Sequence, residues 1–290
     1  MSLRWPALAV SCLLGWCRGA PDLAGAEPAA ISAADLAATA TEAADALGAG
    51  FTVLSEAPFV VAGDEPAATV QEHARDIVRW TCTMLRKDFF SADPDTVYAI
   101  YLFKDKESYE ANALRLFGAK PFTPYGYCSS EHHALVMNIA TGGGTLVHEM
   151  VHAFMHGNVP ACPVWINEGL ASLYEQCAER DGHIIGRVNW RLTVLKEALA
   201  ADAAPSFERL AAMSDREFYQ VGTGANYATA RYLLLWLQER GLLLRFWKAW
   251  RAGMADDPRG LASVLALFPG DAPAAVAARW REWVGTLSDR

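Results

Sequence analysis

Residues 148–152 read His148-Glu149-Met150-Val151-His152, and this run constrains the fold more than any other. Two histidines four positions apart stand on one face of an α-helix, one turn apart. There both imidazoles can reach a single zinc ion. Glu149 follows the first histidine and points away from it. It can take a proton from a water that the metal activates without being a ligand itself. Val147, Met150, Val151 and Phe154 give the same helix an apolar side to bury. The expectation is a rigid, packed helix carrying two ligands and a base.

The five-residue pattern also occurs in unrelated chains, so a third ligand has to decide the matter. His156 continues the four-residue beat. A straight helix spreads three such positions over about 11–12 Å at ~1.5 Å per residue. One ion with ~2.1 Å bonds does not readily collect all three, so His156 reads as a neighbour near the helix end. A metzincin arrangement needs Gly three and His six residues after the second histidine. Met155 and Asn158 stand there and exclude that class. Glu168, in VWINEGLASLYE, is the third candidate. Pro163 suits the first turn of a helix, and the loop before it turns the chain so that this helix lies beside the first. His148, His152 and Glu168 would then leave one position open on a catalytic Zn2+.

The rest of the chain supplies the setting. Residues 27–50 are alanine-rich, a short helix or a linker. FTVLSEAPFVVAGD predicts two strands in a hairpin around Ala57-Pro58. Helical periodicity runs over 66–90, a buried strand over TVYAIYLF, and a helix over 105–117 with Asp105 as its cap. Residues 118–133 read as a polar loop. ALVMNIA (134–140) reads as an edge strand, and the glycines at 142–144 free the chain to begin a helix beside it. No Gly-Lys-Ser/Thr follows them, so they are not a phosphate loop. Beyond residue 160 the pattern is almost wholly helical, over 163–178, 187–201, 225–240, 242–252, 259–267 and 272–287. The fold class is therefore α+β: a small N-terminal sheet packed on the active-site helix, then a helical C-terminal lobe. Residues 27–157 form the α/β lobe and 158–290 the helical lobe of one domain, 27–290.

The first 26 residues stand apart. Arg4 precedes the apolar run WPALAVSCLLGWC, which is too short to span a bilayer. With Ala24-Gly25-Ala26 as cleavage site it reads as a secretory signal peptide. A membrane anchor or a lipidated Cys12 or Cys17 are the alternatives. The expected location is secreted or periplasmic, with no stable membrane span after signal removal. Cys82, Cys128, Cys162 and Cys177 then remain, compatible with two disulfides or with free thiols. Cys162 with Cys177 is the preferred pair. The net charge of −8 is scattered, with no basic stripe to suit nucleic acid.

The motifs together resemble the gluzincin metallopeptidases of the zincin-like, peptidase MA-like kind. In aminopeptidase N-like members a WLNEGFA-type helix follows HExxH, and Trp165, Asn167, Glu168, Gly169 and Ala171 match it. The resemblance implies His148, His152 and Glu168 as zinc ligands and Glu149 as the general base. A second segment, GANYATARYLLLWLQERG, is similar to the helix that carries a catalytic tyrosine. Tyr227 would correspond, donating to the oxyanion; Tyr219 and Tyr232 are the competing tyrosines. The acid that holds a substrate amino terminus in aminopeptidases is missing from ALVMNIA, so aminopeptidase specificity is not implied. Ser172 occupies the place of the acid that follows the third ligand in thermolysin-like enzymes, and Glu175 matches a second acid of the aminopeptidase type. Either supports the ligands from outside. The expected activity is zinc-dependent hydrolysis of a peptide or protein, most simply by an endopeptidase, with the edge strand pairing to an extended substrate. A zinc-binding scaffold without turnover, or a hydrolase of a non-peptide amide, are the alternatives.

Overall fold

The structure, a computed structural model, describes residues 31–288. The expected leader and its expected cleavage site lie outside the described residues. Two compact units divide after Pro160.

The first unit begins with α1 (Ala33–Leu47), whose Ser32 and Asp35 form a reciprocal capping box. The alanine-rich stretch is thus a helix with a defined start. Strands β1 (Thr52–Glu56) and β2 (Phe59–Gly63) form the expected antiparallel hairpin, with Ala57-Pro58 in cis. One helical run follows: α2 (Ala67–His73), a π-helical turn (Ala74–Arg79) and α3 (Trp80–Asp88). Strand β3 (Tyr98–Phe103) runs parallel to β2. Then comes α4 (Lys106–Phe117), where the Asp105 side chain accepts from the Ser108 N–H at 2.8 Å. Strand β4 (Gly126–Ser129) precedes β5 (Ala134–Asn138), and a 3-10 turn leads into α5 (Gly144–Asn158).

The sheet order is β1-β2-β3-β5-β4. β5 therefore lies inside the sheet, parallel to β3 and antiparallel to β4. This corrects the expectation that 134–139 is an edge. The outer strand is β4, a segment that polar and proline-rich composition made look like loop. Every residue of β2, β3 and β5 is buried, as expected where helices cover both faces. Alternation along β3 sorts the faces. Ala99, Tyr101 and Phe103 pack with Ala43 and Leu47 of α1 and with Tyr109 and Ala113 of α4. On the other face Phe59 meets Phe154 of α5, ring centroids 6.3 Å apart, and Phe90 stacks on the same ring at 5.6 Å. The helix with the two histidines is thereby fixed to the sheet through its apolar side.

The glycines before α5 have distinct reasons. Gly142 adopts φ +98°, a conformation L side chains rarely take. At Gly143 a Cβ would come within 2.8 Å of Cδ1 of Ile77, in the π-helical turn.

The second unit starts with α6 (Val164–Leu173) and the hairpin β6 (Cys177–Arg180) and β7 (His183–Gly186). Helices α7 (Arg191–Ala200), α8 (Phe207–Ala212) and α9 (Asp215–Gln220) follow. The central helix is α10 (Thr223–Glu239), buried continuously from Asn226 to Leu237. The chain ends in α11 (Leu243–Ala252), α12 (Leu261–Leu265) and α13 (Pro273–Thr286). The hairpin is an addition to the almost wholly helical expectation, and α6 stops at Leu173 rather than 178. Its signal was the dipeptide Asp181-Gly182, both at positive φ, the two-residue turn that closes a tight hairpin.

Close approach at glycines and one buried arginine hold this unit together. At Gly169 a Cβ would stand 3.1 Å from the Leu234 side chain and 3.2 Å from the Ala230 carbonyl, so α6 lies directly on α10. At Gly186 it would stand 2.3 Å from Leu173 Cδ1 and 2.7 Å from the Leu173 carbonyl oxygen. Because one neighbour is backbone, Gly186→Ala is expected to destabilise this unit by roughly 1–3 kcal/mol, as urea denaturation would measure. Arg231, fully buried, donates to the carbonyls of Ser172 (2.8 Å), Leu173 (3.3 Å) and Arg187. Burial lowers its pKa to about 10.

Cys82, Cys128, Cys162 and Cys177 are all thiols, so the preferred Cys162–Cys177 pair is not formed. The two cysteines flank α6 at opposite ends. Ten residues of helix span about 15 Å, beyond the reach of a disulfide. Among the described residues no helix is long and apolar enough to cross a membrane.

Candidate metal centre

Helix α5 holds His148, Glu149 and His152 at 2 %, 2 % and 5 % exposure. Three polar side chains so deeply buried need partners. The two imidazoles turn toward each other, with their Nε2 atoms 3.0 Å apart. This is the convergence that spacing by one helical turn allows. His156 does not join it. Its side chain is 46 % exposed and its Nδ1 lies 3.7 Å from Oδ1 of Asp95. The three-histidine beat thus divides into a buried pair and a surface residue, as the helical rise requires.

Glu149 sits close to the outer strand. Burial first, and the Glu149 charge second, hold the Cys128 thiol of β4 well above its ordinary range. The Tyr109 phenol is also pushed up, by burial, then by Tyr127, then by Glu149.

Glu168 is completely buried in the middle of α6. The phenol of Tyr219 donates to its Oε1 at 2.6 Å. The two candidates for outer support behave differently. The Ser172 hydroxyl donates to the Glu168 backbone carbonyl at 2.5 Å, so it serves the helix and not the carboxylate. Glu175 accepts two hydrogen bonds from Arg191, at 2.9 Å and 2.6 Å, and a longer one from Asn189. Burial works against the Arg191 charge, but Glu175 outweighs it, with Tyr227 and Glu168 adding, so its pKa is raised.

The tyrosines also separate. Tyr232 is tied to Asn189 through both backbone groups of that residue, at 3.0 Å and 3.1 Å. Tyr227 is 1 % exposed, and the Arg191 guanidinium lies 4.9 Å from its ring centroid. Its ring also meets Phe218 at 5.0 Å and Tyr219 at 6.4 Å. Tyr219 is a direct hydrogen-bond partner of Glu168, and nothing in the residue spacing singled it out.

One donor atom each from His148, His152 and Glu168 lie within 4.8 Å of one another. Two donors bonded to one zinc ion stand at most about 4.2 Å apart, twice the ~2.1 Å bond length. Two imidazoles and a carboxylate, all buried, are also the donor types that zinc takes. The cluster can hold a metal ion, and its three members are the ligands expected from the sequence.

No protein-family model matches the chain, and no curated protein matches it.

Proposed function

We propose that this chain is a zinc-dependent hydrolase of peptide bonds, of the gluzincin kind. The observation that carries this reading is the grouping of His148, His152 and Glu168 with a buried carboxylate, Glu149, beside the first ligand. A site that only held a metal would have no use for that second acid. Bound zinc supplies Lewis acidity toward a carbonyl oxygen and toward water. The Glu149 carboxylate accepts a proton from the attacking water and returns it to the leaving nitrogen. Tyr227, one turn into α10, is the donor to the oxyanion that the resemblance assigns.

The substrate side follows from the sheet. Among the described residues β4 pairs only with β5 in the sheet, so its other edge offers main-chain groups to an extended peptide. Burial of Glu149 keeps bulk water from its carboxylate and favours transfer to groups held in place. Export through the leader belongs to the same proposal.

The test is metal loading of the full chain, followed by a proteomic peptide library as substrate. Zinc-loaded protein is expected to cleave, a chelator to stop cleavage, and added zinc to restore it. Saturating zinc is also expected to raise the unfolding free energy by about 2.7 kcal/mol at a hundredfold excess over Kd. His152→Ala should abolish that gain. Zinc-loaded protein that cleaves nothing in the library would sink the assignment.

A further inference from the structure

Glu168 reaches its place from the middle of a helix through three rotatable side-chain bonds, and a free glutamate would sample many rotamers. Its carboxylate is instead gripped by the Tyr219 phenol at 2.6 Å, within the range of a charge-assisted O–H···O bond. The phenol is itself firmly placed. Its helix, α9, starts with a reciprocal capping box of Ser214 and Glu217. The Tyr219 carbonyl accepts from the Thr223 hydroxyl at 2.7 Å. The buried Asn226 side chain donates to the carbonyls of Phe218 and Val221, at 3.0 Å and 2.7 Å. These bonds pin the turn from α9 into α10 on both sides of Tyr219. The ring lies against Phe218, centroids 5.6 Å apart.

We infer that Tyr219 is a positioning residue for Glu168: its hydroxyl occupies one carboxylate oxygen and presents the other to the metal as a single-toothed ligand. The inference rests on the zinc reading above. Oε1 is committed to a phenol that the α9–α10 turn holds still, so the carboxylate has one orientation toward His148 and His152. Partners of this kind contribute tenfold to a hundredfold to metal affinity when they orient a ligand. Asn226 and Thr223 act one step further out, by fixing the backbone that carries the phenol.

The experiment is zinc binding by the full chain, read by competition with a chromophoric chelator at one pH. Tyr219→Phe keeps the ring and its contacts with Phe218 and Tyr227, and removes only the hydroxyl. It is expected to weaken zinc binding by about 10–100-fold. Tyr232→Phe removes another buried hydroxyl of the same unit, bonded to Asn189 rather than to a ligand, and should leave zinc affinity at the wild-type value. Affinity of Tyr219→Phe within twofold of wild type overturns the positioning role while leaving the zinc reading intact. Equal losses in both variants also overturn it, because general loosening of the unit would then be the cause. A wild-type chain that binds no zinc overturns the zinc reading and this inference together.

Discussion

Glu149→Gln is expected to abolish peptide hydrolysis while leaving the metal in place. The amide keeps the size of the side chain and removes its ability to accept a proton. General base groups of this type contribute about 10²–10⁴-fold, so kcat should fall by that factor. Metal content and the zinc-dependent gain in stability should match wild type, because the proposed ligands are His148, His152 and Glu168. The side chain is 2 % exposed, and a neutral amide is cheaper to bury than an ionised carboxylate. The variant should therefore fold at least as well as the parent. Steady-state cleavage and metal analysis on one preparation measure both halves. Unchanged cleavage with metal retained would defeat the assignment of Glu149 as the general base.

The second large effect concerns folding. Arg231→Met is expected to cost roughly 3–5 kcal/mol. The guanidinium is fully buried and serves the carbonyls of Ser172, Leu173 and Arg187. Methionine fills much of the stem volume but supplies no donor, so buried acceptors at the end of α6 and after β7 lose theirs. The glutamate of the metal centre sits one turn earlier on α6, so zinc affinity should fall with stability. Most tryptophans, including the buried Trp165, Trp236, Trp250 and Trp280, lie in this unit. Urea unfolding followed by tryptophan fluorescence is the measurement. A loss below about 1 kcal/mol would show that water replaces the guanidinium and that the network does not hold the hairpin.

Much of this molecule was legible in its residues where the signal is local. The His148–His152 spacing, the Asp105 cap, the hairpin at Ala57-Pro58 and the helix that carries Glu168 each depend on neighbours a few positions away. What escaped was small or polar. β4 is four residues long within a loop-like stretch, and the β6–β7 hairpin rests on one Asp-Gly turn. Position within the sheet escaped as well. ALVMNIA reads the same at an edge or inside, because only the partner strand decides which it is.

The sequence by itself determined that two histidines and an acid share one helix, since a 3.6-residue repeat turns spacing into direction. It also marked Glu168 as the third donor. Only the tertiary structure decided that Ser172 serves its own helix and that Tyr219 grips Glu168. Those outcomes depend on which elements meet across long stretches of chain. Tyr219 and Glu168 are 51 residues apart, and no local periodicity carries information over that distance.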